Sequence, residues 1–125
     1  MKYLIFILSL TLLAGCYYDN EEELYPGGNG ECDTTNVTFS GTVLPVINAN
    51  CKSCHSGGAP QGNVLLEDYA SIAAAGKIAE GNYGSLYGVI NHSSGNSPMP
   101  KNGTKLPDCT IRQIKAWIDA GTPEN

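Results

Sequence analysis

Apolar positions recur at helical spacing in four stretches of the chain, and nowhere does strand-like alternation persist. The clearest stretch lies near the C-terminus, where Ile111, Ile114, Trp117 and Ile118 fall on one helical stripe. Asp108 is placed to cap its start and Gly121 to stop it. Glu67 to Ala75 is rich in alanine, with Tyr69 and Ile72 three apart and Gly76 positioned as a terminator. Ser85 to Ile90 is shorter and carries Leu86, Val89 and Ile90 on one side. Val43 to Ile47 leads directly into Cys51. Pro45 fits that helix only if it begins around Thr42, which leaves proline in the first turn where its missing N–H is no loss. The pattern predicts an all-α domain with long loops.

The N-terminal residues stand apart from this pattern. In 1–15, Lys2 is followed by an apolar run from Tyr3 to Leu13, too short to span a bilayer comfortably. The run ends in Leu13-Ala14-Gly15-Cys16, which resembles a bacterial lipoprotein processing box with Cys16 as the lipid acceptor. An ordinary secretory signal followed by an incidental cysteine is the alternative. Residues 16–30 read as a tether, with Asp19, Glu21, Glu22 and Glu23 followed by Pro26-Gly27-Gly28-Asn29-Gly30. Such sequence buries too little apolar surface to offset its ordering entropy. The globular part is therefore expected to run over 31–125. An exported protein held to a membrane by lipid on Cys16 follows, at the periplasmic face of the outer membrane or the cell surface. The periplasmic face of the inner membrane is a further option. An acidic stretch just after a lipidated cysteine resembles a surface-export address of some Gram-negative lineages.

The formal charge is −5, and most of that excess sits in the tether. Over 31–125, eight acids face six bases without a basic cluster, so no nucleic-acid partner is expected.

The candidate chemistry is concentrated in Cys51-Lys52-Ser53-Cys54-His55. Two thiols three apart, followed at once by histidine, suit covalent haem attachment. Cys51 and Cys54 can each form a thioether with a haem vinyl group, which would put His55 under the iron as its first ligand. The competing reading is a disulfide or zinc site with an incidental histidine. Zinc would require further ligands, for which only His92, Cys32 and Cys109 are available. If Cys16 carries lipid and Cys51 and Cys54 carry haem, then Cys32 and Cys109 remain, and an exported chain can oxidise them to a disulfide.

Once the leader is removed, Met99 is the remaining methionine, set between Pro98 and Pro100 in a polar loop. Flanking prolines restrict the backbone and help pre-position a thioether, which favours an iron ligand over a core filler. His92, at the end of the short helix, is the rival sixth ligand. A vacant sixth position would instead suit gas binding or peroxide chemistry.

From Phe39 onward the chain resembles class I cytochrome c domains, especially small bacterial lipoprotein cytochromes. The resemblance rests on the haem motif, Leu66 and Tyr69, Ser97-Pro98-Met99-Pro100, and Ile114-Lys115-Ala116-Trp117-Ile118-Asp119-Ala120-Gly121. It implies a small helical domain wrapped around one haem c, with Met99 as distal ligand and the first helix packed across the last. It also implies that the Pro60 carbonyl accepts the other ring N–H of His55. Trp117 is expected either to pack on haem or reach a propionate, or to serve as a plain core residue.

The expected function is therefore one-electron transfer, without a substrate pocket or an enzymatic reaction. The resemblance implies redox protein partners: a respiratory complex, an oxidase or another cytochrome. Lys52, Lys101 and Lys105 flank the haem-binding segments and are candidates for steering an acidic partner. Two other classes remain open at this stage, an open-site haem protein acting as sensor or peroxidase, and a haem-free, disulfide-stapled binding lipoprotein.

Overall fold

Thr38 opens the first helix among the described residues, its hydroxyl accepting the Gly41 N–H at 3.0 Å. The chain winds through a wide π-helical turn, Phe39–Val43, directly into α1, Leu44–Asn50. The helical path thus begins three residues before the expected Thr42. The cap at Thr38 and the burial of Phe39 favour the earlier start. Pro45 follows the wide turn, where the regular ladder is already interrupted, so its missing N–H is tolerated. The computed structural model describes residues 32–101 and 103–125, within the unit Cys32–Asn125. The Cys16 processing box and the acidic tether lie outside the described residues.

Helix α2, Tyr69–Lys77, begins with a capping box in which the Asp68 carboxylate accepts the Ser71 N–H at 2.8 Å. In return the Asp68 N–H donates to the Ser71 hydroxyl at 3.1 Å. Gly76 does not end this helix as expected. It is buried within it, and an added Cβ would lie 3.1 Å from Thr122 Cγ2 and 3.3 Å from Trp117 Cζ3. A glycine after an apolar run signals either a cap or a close helix contact, and here it is the contact.

Helix α3, Leu86–Ile90, is capped by the Ser85 hydroxyl. Helix α4, Asp108–Asp119, starts at Asp108 itself, after extended Pro107, so Asp108 is the first helical residue and not the cap. It ends as expected at Gly121, whose φ of 90° lets the Thr122 N–H reach the Trp117 carbonyl at 3.0 Å. Every α-helix, π-helix or 3-10 element among the described residues is helical, with no strand, so the domain is all-α. No helix among these residues is long and apolar enough to cross a membrane.

The turn Phe39–Val43 and helix α2 meet α4 at Trp117, which is fully buried. The Phe39 ring lies 5.8 Å from it and 5.1 Å from Tyr69 in an edge-on arrangement, so the first helical turn is packed across α4. The Trp117 indole N–H donates to the Pro123 carbonyl at 2.8 Å, and Tyr69 O–H donates to the Thr122 carbonyl at 2.8 Å. Of the two roles open to Trp117 from sequence, the structure gives it the core role, with its polar edge already satisfied.

Cys32 and Cys109 form a disulfide with Cα atoms 5.3 Å apart across a sequence separation of 77 residues. The bond ties the start of the described domain to the first turn of α4, and Gln113 Nε2 adds a 3.0 Å bond to the Asp33 carbonyl. Closing a loop of this length stabilises the fold by about 4 kcal/mol in the chain-entropy view. Replacing both cysteines with serine is predicted to lower the unfolding free energy by about that amount. Urea unfolding measures it, and a loss below about 1 kcal/mol would show that the staple contributes little.

Candidate functional site

The chemistry-bearing residues begin where α1 ends. The Cys51 N–H donates to the Ile47 carbonyl at 2.9 Å, and the His55 N–H donates to the Cys51 carbonyl at 3.0 Å. One further turn thus carries the helical path through the motif and places Cys51 and His55 four residues apart on the same side. Both Cys51 and Cys54 are free thiols, the first half-buried and the second exposed. Burial, and secondarily the neighbouring Cys54, push the Cys51 thiol up to about 11. It is therefore a neutral thiol at physiological pH.

His55 is held from the loop that follows. Its Nδ1 lies 3.0 Å from the Val64 carbonyl. A carbonyl oxygen only accepts, so Nδ1 carries the hydrogen and Nε2 keeps its lone pair for a metal. The Pro60 carbonyl, expected in this role, instead accepts the Asn63 N–H at 3.0 Å. The reason is the tight turn Gln61–Asn63, where Gly62 at φ 63° reverses the chain and delivers the Val64 carbonyl to the ring. The Leu66 N–H then donates to the His55 carbonyl at 2.7 Å and closes the loop.

Cys51, Cys54, His55 and Met99 line one cleft of about 480 Å³. That volume lies within the ~300–1,000 Å³ usual for small-molecule and cofactor sites. Leu66, Leu86, Ile90 and Leu106 give the cleft a buried apolar lining. Met99 is half-buried, and its N–H donates to the Val89 carbonyl at 3.0 Å. His92, its rival from sequence, is exposed and does not line the cleft; its Nε2 lies 3.1 Å from the Met99 carbonyl.

Sequence reasoning missed Val64, Asn96 and Gly88. The Asn96 Nδ2 is buried on the cleft wall without a hydrogen-bond partner among the described residues. It packs into a notch at Gly88, where an added Cβ would stand 2.7 Å from the amide group. A glycine inside the apolar run Leu86–Ile90 was the available signal for close approach, but nothing in the sequence named Asn96 as the neighbour.

The zinc alternative loses two of its three additional donors, because Cys32 and Cys109 are bonded to each other. Among the described residues, no three His, Cys, Asp or Glu side chains are gathered to hold a bare ion. Of the flanking lysines, Lys101 bonds the Ser97 hydroxyl at 3.0 Å and Lys105 lies 3.6 Å from the Asp108 carboxylate.

The two motif cysteines are predicted to differ in reactivity in haem-free protein. At pH 8 a thiol of pKa about 11 is only roughly one part in a thousand thiolate. Iodoacetamide should therefore modify exposed Cys54 well before Cys51, with the gap narrowing as pH rises toward 11. Peptide mass mapping over time reads the order, and equal rates at pH 8 would contradict it.

No family model matches this chain, and no curated protein or solved structure matches it.

Proposed function

We propose that this chain is a c-type cytochrome, a one-electron carrier in an exported respiratory or related redox chain. One haem c would be thioether-bound at Cys51 and Cys54, with His55 and Met99 as the iron ligands. The observation that carries this reading is that Met99, far along the chain from the Cys51–His55 motif, lines the same apolar cleft of cofactor size as Cys51, Cys54 and His55. The haem supplies a one-electron ferric–ferrous couple when bound.

The chain's own residues account for the rest. The Val64 carbonyl orients His55 so that Nε2 is the ligating nitrogen. Met99 offers a thioether, which favours the ferrous state relative to a second histidine and so raises the potential. Leu66, Leu86, Ile90 and Leu106 exclude water from the cleft. Asn96 offers a buried N–H donor left unpaired among the described residues, as expected of a wall built around a group with acceptor atoms. No acid–base or nucleophilic constellation is needed for the transfer of an electron. Lipid on Cys16 would hold the domain to a membrane outside the cytoplasm, where its partners are other redox proteins.

Two substitutions test the assignment. Wild-type protein should keep its haem through denaturing acid–organic extraction, whereas Cys51→Ala combined with Cys54→Ala should lose it. Freely extractable wild-type haem would rule out covalent attachment. Met99→Ala should abolish the weak far-red sulfur-to-iron band of the ferric form and lower the reduction potential. Persistence of that band in the Met99→Ala protein would remove Met99 from the ligand set.

A further inference from the structure

We propose that His92 is a clasp on the Met99 segment, a positioning residue whose ring fixes the peptide carrying the candidate ligand. The proposal rests on the reading of Met99 as an iron ligand, but its geometry stands independently of what fills the cleft.

The C-terminus of α3 shows why. The helix ends at Asn91, and His92 follows in the left-handed region at φ 58°. The His92 N–H reaches the Val89 carbonyl at 3.4 Å, and the Ser93 N–H reaches the Gly88 carbonyl at 3.0 Å. This pair of bonds is the Schellman arrangement, and its left-handed position is one that glycine normally fills because any Cβ is strained there. A histidine here carries a backbone cost that glycine would not. Strain of this kind persists where the side chain does something a glycine cannot.

What the ring does is visible. His92 Nε2 lies 3.1 Å from the Met99 carbonyl, and since that oxygen can only accept, Nε2 carries the hydrogen and donates. The Met99 N–H is already bound to Val89, the carbonyl that also receives His92 N–H. Both polar groups of Met99 are therefore tied to the same helix end, one by α3's last turn and the other by the residue that terminates it. Between these anchors the segment 93–98 makes its own turn, with the Asn96 N–H on the Ser93 carbonyl at 3.1 Å. The arrangement holds Met99 on the cleft wall without asking its side chain to hold itself.

His92→Gly separates the clasp from ordinary structural support, because the two predict opposite pairings of effects. Glycine relieves the left-handed strain, so the denaturation midpoint should be unchanged or higher. Loss of the ring should nevertheless speed hydrogen exchange at the Met99 amide by roughly three- to tenfold, the range expected from one net hydrogen bond. In ferric holoprotein, imidazole should displace Met99 faster by a similar factor, followed by loss of the sulfur-to-iron band. Exchange and displacement rates within twofold of wild type would overturn the proposal. So would a fall in the midpoint that accounts for both accelerations. Absence of the sulfur-to-iron band in wild type would instead defeat the Met99 ligand assignment, and exchange at the Met99 amide would still decide the clasp.

Discussion

The burial of Trp117 is the contact on which the rest of the domain depends. Phe39 reaches it from the first helical turn, Gly76 lets α2 approach it closely, and its N–H binds the Pro123 carbonyl of the terminal segment. The Asn125 carbonyl and side-chain oxygen accept the Ser40 and Phe39 N–H groups at 2.9 and 2.8 Å, so Asn125 helps fix the helical turn that leads into α1. That packing sets the direction of α1, and the direction of α1 sets where Cys51 and His55 emerge. The site is thus a consequence of how the helical path into α1 crosses α4, with the Cys32–Cys109 bond tying the start of the described domain to the first turn of α4.

The cleft is built by loops that are locally over-determined. On one side the Gln61–Asn63 turn and the Leu66-to-His55 bond fix the imidazole through a backbone carbonyl. On another, the end of α3 fixes both polar groups of Met99. The His55 ring and the Met99 backbone are thus placed without help from the group they would hold, which would lower the entropy lost when that group is in place. In the proposed electron carrier, such anchoring would leave little to reorganise when the iron changes charge.

Much of this was legible in the sequence because its signals are periodic or covalent. The stripe Ile111, Ile114, Trp117 places α4, and Gly121 ends it as its position suggests. The expected pairing of Cys32 with Cys109 is the disulfide that forms. Two of the failures share a cause. Gly76 as a cap and Pro60 as the acceptor for His55 each depended on a contact made elsewhere in the fold, and so did the choice between the two roles left open for Trp117. A backbone carbonyl such as that of Val64 has no residue signature, so no pattern could have preferred it over Pro60. The pairing of Gly88 with Asn96 is likewise a tertiary fact, set by how the 93–98 turn folds back onto α3.

The account stands or falls on whether the cleft holds a low-spin, six-coordinate haem. The most direct measurement is the visible spectrum, oxidised and reduced, of the unmutated protein matured with a haem-attachment system. Sharp α and β bands on reduction, together with the weak far-red sulfur-to-iron band on oxidation, are the predicted result. A high-spin ferric spectrum would contradict the two-ligand site, and a purified protein with no haem absorption would contradict the cytochrome reading altogether.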